Sequence, residues 1–75
     1  MRYGVRVTRG GSPVKGAQVI INTDGGGVTN ARGIVRIEID KDFPIAAPIV
    51  VRGEGFAMGM CGAVLEPNEL LEIEI

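Results

Sequence analysis

The stretch that decides the fold is Val35-Arg36-Ile37-Glu38-Ile39-Asp40, where apolar and charged side chains alternate without a break. Neighbouring residues of a β-strand point to opposite faces, so this pattern predicts a strand with one apolar and one charged face. Short Val- and Ile-rich stretches lie on both sides of it, and Gly or Pro residues separate them. The sequence therefore predicts an all-β protein in which apolar strand faces meet in a core.

The same alternation, followed along residues 1–75, predicts about seven strands in a single domain. Gly10-Gly11-Ser12-Pro13 is expected to end the first strand, and Asp24-Gly25-Gly26-Gly27 is expected to form a turn, because glycine adopts positive φ at no steric cost. Residues 43–47 are expected to be a connector or an edge, since the prolines around them donate no hydrogen bond to a ladder. The strands are expected near residues 3–7, 15–22, 28–29, 35–39, 49–52, 57–65 and 69–75.

The last two strands predict a contact surface for a partner. The strand at 57–65 has no polar face, and a strand of that kind is covered on both sides or forms a subunit contact. Val64 is assigned to the same face as Met58 and Met60 in this strand, and Leu65 to the opposite face. The residues predicted to form the interface are Met58, Met60 and Val64 together with Leu70, Glu72 and Glu74 of the terminal strand.

Composition also favours a partner. The chain has 75 residues and 45% hydrophobic residues, and its mean hydropathy is +0.25. A chain this short buries only about 60% of the surface that its unfolded form exposes, so some apolar surface is expected to remain in contact with water. We therefore expect a protein partner or a second copy of the chain, as a homo-oligomer or as a subunit of an assembly. The net charge of −1 provides no bulk attraction to nucleic acid or to membranes.

The residues that most catalytic sites need are missing. The chain has no His and one Cys, so Ser12 and Cys61 have no imidazole to activate them, and a four-thiolate metal site is excluded. Cys61 is expected to be an inert thiol because its neighbours are apolar. The sequence predicts a protein that is not an enzyme and that needs no cofactor or metal.

Polar residues near two turns leave a ligand-binding alternative open. Asn22, Asp24 and Asn30 carry oxygen atoms of the kind that bind calcium or a glycan, although their spacing matches no known calcium loop. Carboxylates and amides at turns more often bond to nearby backbone groups. The glycine run beside Asp24 is expected to form an adaptable loop tip, and a phosphate cradle is disfavoured because no helix follows the glycines.

Two motifs resemble a known family. Gly11-Ser12-Pro13-Val14-Lys15-Gly16-Ala17-Gln18-Val19 is followed by Val28-Thr29-Asn30-Ala31-Arg32-Gly33, and this pair resembles the carboxypeptidase regulatory-like domain. The resemblance implies a seven-stranded, Ig-like and transthyretin-like β-sandwich that supports or docks other parts and is itself not catalytic. In the second motif, Asn30 and Gly33 suit a type I turn in which the Asn side chain bonds to the backbone ahead of it.

The resemblance also implies that the first and last strands share a sheet. Arginines lie on the outer face of the first strand and glutamates on that of the last, so ion pairs between them are expected at about 0.2–1 kcal/mol each. We expect a structural or interaction module that presents a rigid sandwich. A ligand-binding module and a small decoration subunit of a virion or other surface remain alternatives. Because the chain begins with Met and stops right after the last predicted strand, we expect a stand-alone gene product. No signal-peptide core follows Met1, but a signal removed earlier would leave no trace, so the compartment stays open.

Overall fold

The computed structural model describes residues 1–40 and 47–75, of which 61–63 are described by their backbone alone. The described residues form eight strands and no helix, which confirms the all-β prediction. The predicted count of seven is not confirmed, because Ser12–Pro13, expected within a turn, forms a short additional strand. The strands are β1 (Arg2–Arg9), β2 (Ser12–Pro13), β3 (Gln18–Ile21), β4 (Gly25–Val28), β5 (Ile34–Glu38), β6 (Ala47–Gly53), β7 (Phe56–Ala63) and β8 (Leu70–Glu74).

The strands build two sheets. In the first sheet, β1 pairs antiparallel with β5 along one side and parallel with β8 along the other. β2 lies on the same side of β1 as β5. The N–H of Val7 donates to Gly33 O, just before β5, at 2.8 Å, and the C=O of Val7 accepts from Val14 N, just after β2, at 3.0 Å. The N–H and C=O of one strand residue point to the same side, so β2 and β5 share that side of β1. The second sheet has the order β4-β3-β6-β7 and is antiparallel throughout.

The inner faces of the two sheets form one core, as period-two alternation predicts. Tyr3, Val5 and Val7 of β1 are fully buried, and Val19 and Ile21 of β3 face them from the second sheet. This arrangement is a β-sandwich, in which each sheet covers the apolar face of the other. The other buried apolar residues are Ala17, Val35, Ile37, Ile39, Ala47, Ile49, Val51, Leu65 and Ile73.

The glycine run is a strand, and the prediction of a turn there was wrong. The chain reverses one step earlier, at Asn22 and Thr23, which both have positive φ, 46° and 58°. Asp24 N donates to Ile21 O across this turn at 2.9 Å. Asn adopts the left-handed region more readily than most residues, so the turn does not need glycine at its first position.

Glycine is needed in β4 because this strand packs tightly against β5. A Cβ on Gly27 would lie 2.6 Å from Cγ2 of Val35, and one on Gly25 would lie 2.8 Å from Cγ1 of Ile39. Both distances are shorter than carbon atoms tolerate, so only residues without a side chain allow this approach. The sandwich is closed on this side, and β7 and β8 lie on the other side as the last strands of their sheets.

A β-bulge changes the facing of residues at the end of β7. Ile49 pairs with Met60 and Ala47 pairs with Ala63, so β7 has one residue more than β6 between these pairs. An extra residue inverts the alternation beyond it. The prediction that Val64 shares a face with Met58 and Met60 is therefore wrong: the two methionines pack against the core, whereas Val64 is 65% exposed.

Candidate functional site

The outer face of the first sheet is charged and neutralises itself. Arg6 of β1 and Glu72 of β8 stand opposite each other in the ladder, and Arg6 Nη1 lies 3.5 Å from Glu72 Oε1. Arg2 Nε lies 3.8 Å from Glu38 Oε2 of β5. These contacts confirm the predicted pairing of Arg and Glu across a shared sheet. Exposed pairs of this kind contribute little to stability, and they help to fix strand register.

The outer face of the second sheet is apolar. Ile20 of β3 stands beside Val50 of β6, and Gly26 and Gly59 of the flanking strands complete the same row. The exposed fraction is 41% for Val50 and 60% for Val28, which occupies the next row on β4. Contiguous apolar patches larger than a few hundred Å² are typical of interaction sites. We call this surface the apolar face and define it as Ile20, Gly26, Val28, Pro48, Val50, Ala57 and Gly59.

One row of the outer face of the second sheet combines polar residues with Val28 and Ala57 of the apolar face. In the described residues of these four strands, Gln18 and Arg52 are the polar side chains that point to the apolar face. They stand opposite each other in the ladder, and Arg52 Nε donates to Gln18 Oε1 at 2.9 Å. The guanidinium keeps its charge and its other N–H groups, so a partner that covers the apolar side chains has to leave the end of Arg52 in contact with water.

Sequence reasoning missed the residues that make up most of this surface. Ile20 and Val50 were not assigned to an interface, although Val19-Ile20-Ile21 and Ile49-Val50-Val51 are apolar on both faces. That is the same signal that marked the strand at 57–65 as a subunit contact. Applied evenly along the chain, it would have indicated both central strands of the second sheet.

The predicted interface residues separate into two groups in the structure. Met58 and Met60 are half-buried and pack against the core, and their place in an interface stays a prediction. Val64 and Leu70 are exposed and come together where β7 ends and β8 begins. They line a cleft of about 210 Å³ with Gly4, Leu65, Glu66, Glu69 and Leu71.

The two predicted glutamates of β8 have partners within the chain. Glu72 pairs with Arg6, as described above. The carboxylate of Glu74 accepts hydrogen bonds from the Thr8 hydroxyl and, at 3.0 Å, from Gly11 N. The Thr8 bond is the larger cause, and the Gly11 bond adds to it, in holding the pKa of Glu74 below the ordinary value of a glutamate. Their place in an interface stays a prediction.

The lowered pKa of Glu74 predicts a pH-dependent contribution to stability. A carboxyl whose pKa is lower in the folded state stabilises that state above its unfolded value, about 4.3, and loses this effect as the pH falls through the folded value. Glu74→Gln is therefore expected to lower the melting temperature at neutral pH and to approach the wild-type value in acid. Thermal unfolding of both proteins across this range checks it. An equal difference at every pH would contradict the assignment.

The predicted ligand-binding loops are not one site. Asn22 and Asp24 lie at one end of the β3–β4 hairpin, where Asn22 Nδ2 donates to Asp24 Oδ2 at 2.9 Å. Asn30 follows the other end of β4, and its Oδ1 accepts from the backbone N of Arg32 and Ile34 at 2.9 and 3.1 Å. The three residues therefore do not converge on a common ligand. Among the side chains of residues 1–40, 47–60 and 64–75, no three His, Cys, Asp or Glu residues are grouped as metal ligands.

The side chain of Cys61 lies outside the described residues, so its predicted burial stays a prediction. In the part of the chain that the structure describes, no helix has the length and apolar character that crossing a membrane requires. Comparison of the chain with protein-family models, with curated proteins and with solved structures finds no match.

Proposed function

We propose that this chain is a non-enzymatic interaction module that associates with a second copy of itself through the apolar face. One observation carries the proposal: an apolar sheet face is open to water, with Val50 at its centre and Val28 at its margin. Sheets bury such faces against each other at a spacing of about 10 Å. Covering this surface would remove its apolar side chains from water, which is the main source of free energy in protein association.

A second copy is the occupant that fits this surface best. Two identical apolar faces related by a two-fold axis are complementary by symmetry, and such closed dimers are the commonest oligomers. The net charge of −1 does not oppose the approach of two copies. A standard contact buries about 800 Å² per partner, and the surface of the monomer is 4574 Å². One broad face of a two-layer molecule is of the right order to supply that area.

The proposal extends to the family and the detailed fold. We propose that the chain is a carboxypeptidase regulatory-like domain with an Ig-like, transthyretin-like sandwich. The support is the pair of motifs around Pro13 and Asn30 and the pairing of the first strand with the last. In such a domain, function comes from the surfaces that the sandwich presents, since the fold by itself implies no activity.

Val50→Glu tests the apolar face. The side chain points outward and is 41% exposed, so a glutamate is compatible with the folded monomer. In a face-to-face dimer its carboxylate would be taken out of water, and although Arg52 lies one row away, a buried ion pair does not fully offset the loss of hydration. We therefore expect the dissociation constant to rise by at least about tenfold. Analytical ultracentrifugation measures the dissociation constant, and circular dichroism verifies that the variant is folded.

Val64→Glu is the matched control, because it makes the same chemical change outside the apolar face. Val64 is 65% exposed and lies beside the cleft at the end of β7. We expect its dissociation constant to equal that of the wild type. The opposite result, weaker association for Val64→Glu and unchanged association for Val50→Glu, would move the contact to the cleft. A wild-type chain that stays monomeric at millimolar concentration would overturn the proposal.

A further inference from the structure

The outer edge of β7 has the properties of a strand that can pair with another strand. β7 spans Phe56–Ala63, eight residues, at the end of the second sheet. None of these eight residues is charged and none is proline. In the described part of the chain, β7 pairs with β6 on one side and with no strand on the other. A long, uncharged edge of this kind is a template for strand addition.

The direction of the free backbone groups follows from the neighbouring ladder. Asn22 N donates to Pro48 O at 2.8 Å, so the carbonyl of Pro48 points toward β3. The N–H and C=O groups of successive strand residues point to opposite sides, so those of Ile49 and Val51 point toward β7. The N–H and C=O groups of their partners, Met60 and Met58, point toward β6. The N–H and C=O groups of Ala57 and Gly59, which lie between these partners, point away from the sheet.

The other edge strands are shorter than β7 or carry charged residues. β4 spans only four residues, Gly25–Val28, so its edge offers half the length of the β7 edge. β8 carries Glu72 and Glu74, which repel the same edge of a second copy. β5 carries Arg36 and Glu38. Among the described strands, β7 is the long edge without a charged residue.

We propose that β7 pairs antiparallel with β7 of a second copy and joins two second sheets into one sheet of eight strands. This inference rests on the proposed self-association and adds a second contact to it. A second copy fits because antiparallel strands related by a two-fold axis satisfy each other's N–H and C=O groups. The residues of β7 bring no charge to the contact. On the apolar face, Ala57 has only a methyl group and Gly59 has no side chain. Nothing lies within 4 Å of a Cβ built on Gly59.

A chain that binds copies of itself through both a face-to-face and an edge-to-edge contact forms an assembly larger than a dimer. The two-fold axis of an edge-to-edge pair is perpendicular to the sheet, whereas that of a face-to-face pair lies parallel to it. Where such axes intersect at right angles, four copies close into a tetramer with D2 symmetry, and otherwise the assembly continues. The expected wild-type particle is therefore a tetramer or larger, and loss of either contact leaves a dimer.

Hydrogen exchange tests the edge contact in the unmodified protein. In a folded monomer, the N–H groups of Ala57 and Gly59 point to solvent and exchange rapidly. In the assembly we expect both to exchange at least about tenfold more slowly as the protein concentration rises. Rapid exchange at both positions in samples that are fully assembled would overturn the edge contact.

Gly59→Pro tests the same contact by removing one outward N–H while leaving the apolar face uncharged. Gly59→Ala is the matched control, because it keeps the N–H and its Cβ enters open space. Both substitutions add atoms at one position of the apolar face, and they differ in the N–H that only Gly59→Pro removes. We expect Gly59→Pro to be reduced to a dimer and Gly59→Ala to form a larger particle than Gly59→Pro does. If Gly59→Pro does not fold, Ala57→Pro makes the equivalent change at the other outward N–H.

The outcomes separate this inference from the proposed function. If Gly59→Pro and Ala57→Pro both fold and keep the wild-type mass, the edge contact is wrong, and a loss of association in Val50→Glu still supports the apolar face. If the proline variant lowers the mass and Val50→Glu does not, the edge is the contact and the proposed face is wrong. Dimers of each single variant and monomers of the double variant would support both contacts.

Discussion

Thr29→Val is expected to lower the free energy of unfolding by about 2–4 kcal/mol. Thr29 is 3% exposed. Its hydroxyl donates to Val14 O at 2.6 Å and accepts from Ala17 N at 2.9 Å. Valine has nearly the same shape and leaves both backbone groups without a partner, and each such group costs about 1–3 kcal/mol when buried. The whole chain is expected to have a stability of only about 4–11 kcal/mol, so the loss is large.

Urea unfolding of Thr29→Val and Thr29→Ser separates the hydrogen bonds from the shape of the side chain. Serine keeps the hydroxyl and loses only a methyl group, so we expect it to retain more of the wild-type stability than valine does. Equal stability of the wild type and Thr29→Val would show that the hydroxyl does not hold Val14 and Ala17 beside β4.

Gly33→Ala is expected to lower the free energy of unfolding by about 2–5 kcal/mol. Gly33 has a φ of +76°, and a Cβ at this position would lie 2.5 Å from Val7 O and 3.1 Å from Val14 N. Both atoms belong to the backbone and cannot rotate away. The Gly33 carbonyl accepts from Val7 N at 2.8 Å, so a shift that relieves the clash would also disturb the first sheet.

Gly16→Ala is the control for the backbone conformation alone. Gly16 has a φ of +81°, but nothing lies within 4 Å of its Cβ position. It should lose only the cost of the left-handed conformation, about 1–2 kcal/mol. Denaturant unfolding measures both values. If the two alanine variants lose equal stability, the contact between Gly33 and Val7 has no energetic consequence.

The strands were predictable because their alternation is local information. Val35, Ile37 and Ile39 show their facing in the sequence itself, and the structure buries all three. The turn at Asn30 was predictable for the same reason. Its side chain bonds ahead to Arg32 N, and Gly33 N donates to Asn30 O at 2.9 Å.

The bulge and the glycine strand were not predictable because they depend on partners distant in sequence. The extra residue in β7 is visible only when β6 stands beside it, with Ala47 opposite Ala63 and Ile49 opposite Met60. The role of Gly27 depends on the position of Val35 across the sandwich. Without that contact, a run of glycines indicates a turn by composition alone.

The existence of an exposed apolar surface was predictable from the sequence, but the residues that form it were not. Composition predicted that apolar surface would stay exposed, whereas its location depends on which strands become neighbours. Ile20 and Val50 form one surface because β3 pairs with β6 in a register that places them side by side. Val64 was predicted to join an interface with Met58, and the bulge places it on a different surface.

Intermolecular NOEs in a sample that mixes isotope-labelled and unlabelled chains test the central claim most directly. The apolar face predicts NOEs between chains that connect the methyl groups of Ile20, Val28 and Val50, at concentrations where the molar mass exceeds that of the monomer. Methyl groups of Val64 and Leu70, outside the apolar face, should give none. Intermolecular NOEs that arise from Val64 and Leu70 and not from Ile20 and Val50 would contradict the account.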